Sequence, residues 1–287
     1  MIRLDAATVL LQWSVGGLFF LWVTTRRRIA GIGYGWLLRS VYLVMALGAV
    51  AAGVVIHPDG WREAVSAAVA VAAAVALVSS IARRRAGVSG ERAVQERRTE
   101  RVAAMTGIDR DTKVVDHSRT EFDPRMDLVA PAIGVIGLVL AAVADGGPHG
   151  LAIVRTLVGA ALFGAVTDAM LLGHWYLVQP GLGRGLLNEL VRLLAWIWPF
   201  EVAAMLWPTG MIQVLDGTIK DGYGGLLGWF WVACAAATII LCVVTRAALK
   251  ERYYSAVMAA TGFLYLAILT GFGTDLVARA LVARGGI

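Results

Sequence analysis

Charged side chains are scarce in this chain of 287 residues. Asp, Glu, Lys and Arg make up 16% of it, whereas 59% is hydrophobic and the mean hydropathy is +0.72. Soluble globular domains carry about a quarter of their residues as charges, so this composition excludes a soluble domain. It indicates an integral membrane protein whose length accommodates about eight spans of roughly 20 residues each.

Cysteines and known catalytic patterns are also lacking. Cys234 and Cys242 share one apolar segment, form no C-x-x-C pair and are interpreted as packing residues. The chain has no Walker A loop, no H-E-x-x-H, no G-x-S-x-G and no dinucleotide fingerprint. The sequence therefore identifies no catalytic residue and favours a protein without catalytic activity of its own over an enzyme.

Basic residues exceed acidic ones, giving a net charge of +6. They lie between apolar runs and not on a polar face with aromatic partners, so a positive-inside topology explains them better than a nucleic-acid partner. A composition rich in Ala, Val, Gly and Arg, with very few Lys, is typical of a GC-rich bacterial genome. We therefore expect a multi-pass protein of the bacterial cytoplasmic (inner) membrane.

The apolar runs predict an all-α integral membrane fold with about eight transmembrane helices in one bundle and both termini outside. The first run is interpreted as an uncleaved span, because its arginines follow it. The predicted spans are Ala6–Thr25, Trp36–Ile56, Ala64–Ala82, Leu128–Ala144, Leu151–Val178, Leu186–Trp207, Leu226–Val244 and Tyr254–Val277.

A single membrane domain is expected, interrupted by one long cytosolic loop between helices three and four. Residues 1–82 hold helices one to three, residues 83–126 form the loop, and residues 127–287 hold helices four to eight. In the loop Val94, Arg98, Val102 and Met105 follow a helical spacing. This spacing predicts either an amphipathic helix on the inner leaflet or a solvated loop helix, and the solvated helix is favoured.

Polar residues that end the fifth span offer a candidate ligand site. Counting residues from the hairpin apex near Leu182, at ~1.5 Å per residue, puts His174 level with Glu189 at the inner headgroup boundary. One interpretation is an interfacial anchor, with His174 bonded to Glu189 or a lipid phosphate. The other is a pocket for a lipid or quinone, in which the imidazole bonds a ring oxygen. The predicted ligand-binding residues are His174, Trp175, Tyr176, Glu189 and Arg192.

Three acids fall inside predicted spans, where ionisable groups are costly and functional candidates by default. They are Asp168, Glu201 and Asp275. Asp168 is expected either to bond the carbonyl that Pro199 frees on Ala195 or to pair with another side chain. Glu201 is expected to pair with Arg155. The alternative is that the three acids are steps of a proton or cation path.

Metal and haem sites are weakly indicated. His57 and His149 could supply two axial ligands, but histidines in turns beside prolines are more often solvent-facing. Asp116, His117, Glu121 and Asp123 match no compact metal motif, so a solvated acidic patch is favoured. No metal site is predicted, and quinone is the one cofactor that the sequence favours over haem.

The leading functional expectation is a polytopic membrane protein that binds a quinone or lipid at the hairpin of the fifth and sixth helices. Its expected partners are membrane lipids and the other subunits of a larger membrane complex. Two alternatives stay open at this point: a proton- or cation-coupled transporter that uses the three acids, and a membrane scaffold without a ligand.

Overall fold

The computed structural model describes residues 4–106, 120–144, 149–179, 181–208 and 210–284. Across these ranges the chain forms α-helices and two short 3₁₀ turns, and no strand. Seven of the helices are long and apolar enough to cross a membrane: α1, α2, α3, α5 with its preceding turn, α6, α9 and α10. This result confirms the expectation of an all-α membrane protein.

The helices begin and end close to the apolar runs of the sequence. Their bounds are α1 (Ala6–Thr25), α2 (Ile32–Ile56), α3 (Gly60–Ala82), α4 (Ser89–Thr106), α5 (Val129–Ala144), α6 (His149–Val178), α7 (Gly185–Leu206), α8 (Met211–Leu215), α9 (Leu226–Lys250) and α10 (Tyr254–Arg284). Only α9 and α10 run well past their predicted ends, because their backbone hydrogen bonding continues after the apolar stretch stops.

Helix α7 differs from the other long helices in its charge. It has 22 residues and continues through Pro199, but it carries Glu189, Arg192 and Glu201. These three charges keep it out of the set of helices that are apolar enough to span a membrane by composition alone.

Eight of the long helices, all except α4, pack as two rings of four. In the first ring α1, α2, α3 and α5 pack in that order, and α5 closes back onto α1. In the second ring α6, α7, α9 and α10 do the same, and α10 closes back onto α6. The rings join through α6, which packs on both α1 and α5.

Glycines bring α1 and α6 into backbone contact. A Cβ placed on Gly164 would lie 2.2 Å from the carbonyl carbon of Gly16, and one on Gly16 would lie 1.8 Å from the carbonyl oxygen of Ala160. Helices in a membrane associate through such close van der Waals contact of small residues. The surrounding pattern of α1 also recurs in α6. Val15, Gly16, Phe20, Val23 and Thr24 correspond at equal spacing to Val158, Gly159, Phe163, Val166 and Thr167.

Ion pairs fix both ends of α1. At its first turn Asp5 accepts hydrogen bonds from the backbone N–H and hydroxyl of Thr8, and its carboxylate lies 2.5 Å from Arg62 of α3. After its last turn Arg26 and Arg27 lie 2.7 and 2.8 Å from the Glu189 carboxylate of α7.

The segment between α7 and α9 covers one end of the second ring. Met211 and Val214 of α8 are buried against Leu281 and Val282 of α10. Asp221 then accepts hydrogen bonds from backbone N–H groups at the start of α9. These hydrogen bonds lower the pKa of the Asp221 carboxyl below its usual range, and the bond from Gly225 contributes most.

The loop after α3 contains the helix α4. The backbone N–H of Gly90 donates to the carbonyl of Arg28, so α4 starts against the turn between α1 and α2. Val102 and Met105 are exposed on α4. Both interpretations of this helix, the favoured solvated one and the one on the inner leaflet, remain predictions.

Candidate functional site

The residues predicted to form a headgroup-depth pocket point in different directions. His174 is exposed on the outside of the bundle, where its Nδ1 lies 3.4 Å from the hydroxyl of Tyr265 on α10. Arg192 is also exposed, on α7. His174 therefore contacts Tyr265 and not Glu189, which forms ion pairs with arginines of another segment.

Trp175 and Tyr176 turn toward the interior. The Trp175 indole N–H donates to Gln179, and its ring meets the ring of Tyr34 edge-on at 5.8 Å. The Tyr176 hydroxyl donates to the carbonyl of Gly183 and so closes the turn between α6 and α7. Both aromatic residues therefore stabilise the packing of α6 against its neighbours.

Glu189 pairs with Arg26 and Arg27, and its side chain is 10% exposed. The pairing joins the end of α1 to the start of α7. The structure thus does not gather the five predicted ligand residues around one cavity. Their role in ligand binding remains a prediction.

Asp168 lies in the centre of the bundle with no exposed surface. It accepts a hydrogen bond from the hydroxyl of Tyr42 on α2, and its Oδ2 has no hydrogen-bond partner. Gly17 makes room for this arrangement, since a Cβ there would overlap the Tyr42 ring. Of the two structural interpretations, pairing with another side chain describes Asp168, and a bond to the carbonyl of Ala195 does not.

Glu201 and Asp275 lie together in the second ring, and both are fully buried. Two guanidinium groups, those of Arg155 and Arg279, are their neighbours. Arg155 is thus a charged neighbour of Glu201, but the expected ion pair between them is not formed, because neither Glu201 oxygen accepts a hydrogen bond. Asp168 stands apart from this cluster: Asp275 lies level with Gly159, and nine residues of α6 separate that glycine from Asp168, or roughly 13 Å.

A buried ion pair that the sequence did not reveal joins α2 to the turn before α5. Arg39 donates from Nε and from one terminal nitrogen to the two oxygens of Asp127, each at 2.7 Å. Their side chains are 2% and 0% exposed, so Arg39 does not reach the membrane surface as a snorkelling arginine would. The sequence offered one signal of this ion pair, which is the position of Asp127 immediately before an apolar run.

An apolar groove lies where α1, α5 and α6 meet. Its volume is about 500 Å³, within the range of small-molecule sites. Its walls carry only Val, Gly, Phe, Leu, Pro and Ala side chains. Phe19 and Val135 flank it and are 41% exposed each, so the groove opens sideways toward the surroundings of the bundle.

The histidines considered for haem, His57 and His149, are both exposed at helix ends. Among the described residues, no group of three or more His, Cys, Asp or Glu side chains could hold a metal ion. Glu121 pairs with Arg28 and Arg92, while Asp116 and His117 lie outside the described residues. Cys234 and Cys242 are buried free thiols.

The fold defines the class of this protein as an all-helical membrane protein with seven helices suited to crossing a bilayer. Comparison with protein-family models, with curated proteins and with solved structures gives no match to this chain.

Proposed function

We propose that this protein crosses a bacterial cytoplasmic membrane eight times and holds the hydrocarbon chain of a membrane amphiphile between α1, α5 and α6. The single observation that carries this proposal is the apolar groove of about 500 Å³. The shared chemistry of its ligand is a long chain, which a lipid and an isoprenoid quinone both possess.

Helix α7 is the additional span that brings the seven apolar helices to eight. It packs between α6 and α9 in the second ring, as a spanning helix would. Its first acid, Glu189, is neutralised by two arginines at the helix end, and its last, Glu201, lies among buried arginines. With α7 included, both termini lie outside, and the loop of residues 83–126, which holds 11 of the 26 Lys and Arg residues, is cytosolic.

The chemistry of the groove favours a hydrocarbon tail over a polar ring. Apolar surface in a membrane gains most from continuous van der Waals contact, and these walls offer that contact without hydrogen-bond donors. The groove begins at Leu128, near the inner end of α5, and reaches Leu157 in the outer half of α6. A chain that enters from the inner leaflet would therefore leave its head at the inner boundary.

Filling the groove tests this function. Ala132 is an exposed residue of α5 that lines it, so Ala132→Phe would place a ring where the chain lies. Ala67→Phe is the matched control, because Ala67 is exposed on α3 away from the groove. Protein purified in mild detergent is analysed by mass spectrometry for lipids and quinones. We expect Ala132→Phe to lose the co-purified chain several-fold, and Ala67→Phe and His174→Ala to retain it.

The identity of the extracted molecule separates a phospholipid from a quinone. Equal retention by Ala132→Phe and Ala67→Phe would refute the groove as the binding site. Loss with His174→Ala alone would place the ligand at the end of α6 instead. A wild-type protein free of ligand that moves protons across vesicles would be a transporter, and one with neither property a scaffold.

A further inference from the structure

Four ionisable residues from three helices meet inside the second ring. Arg155 of α6, Glu201 of α7, and Asp275 and Arg279 of α10 are between 0% and 2% exposed. Charges are costly to bury unless they are paired and hydrogen-bonded, so each atom of this cluster needs a partner.

The two arginines are held by partners of their own. Arg279 Nε donates to Asp275 Oδ2 at 2.5 Å, and another of its nitrogens donates to the carbonyl of Arg155 at 3.2 Å. Arg155 Nε donates to the carbonyl of Ala204 on α7 at 2.8 Å. These bonds fix the guanidinium groups against the backbone of neighbouring helices.

Three carboxyl oxygens remain without a hydrogen-bond partner. They are both oxygens of Glu201 and Oδ1 of Asp275, and all three are buried. Gly159 allows the close approach, since a Cβ on it would lie 2.6 Å from Asp275 Oδ1. Leaving a buried acceptor unsatisfied is destabilising, and more so when the acceptor is charged.

The missing partner has to be a donor, because all three atoms are acceptors. A metal cation would require six or more oxygen ligands, and it would also face two guanidinium groups. A proton requires only two oxygens and relieves the repulsion of neighbouring carboxylates, as in paired-acid sites generally.

We propose that Glu201 and Asp275 form a proton-binding site in which the two carboxyl groups hold one proton between them. The Glu201 carboxyl carries the proton and donates it toward Asp275 Oδ1, while Arg279 stabilises the charge on Asp275. Charged residues face the pair from α6 and α10. The charged residues of α9, Arg246 and Lys250, lie near the C-terminal end of that helix, and α8 carries no charged residue. The site does not depend on the lipid groove, which lies between other helices.

Infrared spectroscopy of the full-length protein tests the site. A protonated carboxyl gives a C=O stretching band that shifts in D₂O, and side-chain ¹³C-labelled glutamate identifies whether it belongs to Glu. We expect the wild type to show one such glutamate band. Glu201→Gln should remove it, and Asp275→Asn should shift it because the acceptor changes. Glu189→Gln is the control and should leave it unchanged, because Glu189 is paired with two arginines.

A wild-type protein without a labelled glutamate band overturns the proposal, and this measurement needs no variant to fold. A glutamate band that survives Glu201→Gln, or one that Asp275→Asn leaves unmoved, overturns it as well. Lipid extraction is a separate measurement, so failure of this site and failure of the groove are distinguishable.

Discussion

Single residues decide where charge is tolerated inside this protein. Arg39 and Asp127 form a two-pronged ion pair with almost no exposure. The Thr25 hydroxyl also donates a hydrogen bond to Asp127 Oδ2, at 3.1 Å. Such a pair adds little net stability against a well-packed apolar pair, but a charge left alone after loss of its partner is strongly destabilising.

Replacing one member of this pair should therefore cost more than replacing both. We expect Asp127→Leu to lower the free energy of unfolding by about 3–5 kcal/mol, since it leaves the Arg39 charge buried and unpaired. Adding Arg39→Met should restore most of the loss. Denaturation in detergent micelles, followed by tryptophan fluorescence, measures both.

Glu121→Gln is the control for that comparison. Glu121 pairs with Arg28 and Arg92, whose side chains are 43% and 18% exposed, so its loss leaves no fully buried charge and should cost clearly less than the loss of Asp127. A double variant as unstable as Asp127→Leu alone would show that packing, and not charge, dominates at this position.

The level of a residue along its helix was easier to predict from the sequence than the side of the helix that its side chain faces. Counting along the hairpin placed His174 and Glu189 at one level, and the structure puts both near the ends of their helices. A helix turns about 100° per residue, so the neighbours His174 and Trp175 face opposite environments. Only the packed structure tells which face is which. The spacing of Asp275 and Arg279, four residues apart, was a usable signal for their ion pair.

At the scale of helices, the contact of α1 with α6 depends on two glycines. Gly164→Ala would bring a Cβ to 2.2 Å from the backbone of Gly16, and a backbone cannot rotate away as a side chain can. We expect this single methyl group to separate the helices and lower the free energy of unfolding by about 1–3 kcal/mol, the usual cost of overpacking.

Gly262→Ala is the matched control within a helix. Gly262 is exposed on α10, and a Cβ there would meet nothing within 4 Å. Its substitution should be neutral or stabilising by up to about 1 kcal/mol, because alanine favours helix more than glycine does. Thermal melting of the two variants side by side makes the comparison. Equal melting temperatures would contradict a close contact at Gly164.

Helix positions followed from the apolar runs, because each run had to be long enough to cross a bilayer. The order of helices around each ring did not follow. The lipid-facing and buried sides of such helices are both apolar, so no hydrophobic stripe marks the inner face. Val44 of α2 is 67% exposed, for example, while Leu38 on the same helix is fully buried.

Two rings of similar packing order make up the helix bundle of the described residues. The distribution of arginines predicted the topology. Composition alone does not decide whether α7 crosses the membrane, because its charges exclude it from the helices that are apolar enough to do so.

Cysteine labelling of intact cells tests the topology. Thr218→Cys lies in the exposed segment between α7 and α9, and Ser89→Cys begins α4. We expect a membrane-impermeant thiol reagent to label the first variant in intact cells and the second only after permeabilisation. The native cysteines are buried and provide a low background. Labelling of both positions from one side would mean that α7 does not cross the membrane.

The ion pairs at the two ends of α1 have a mechanical consequence. Asp5 is fastened to α3 in the first ring, whereas Arg26 and Arg27 are fastened to α7 in the second. A slide of α1 by one residue, ~1.5 Å along its axis, would pull both fastenings apart at once. Helix α1 thus sets the relative height of the two rings in the bilayer.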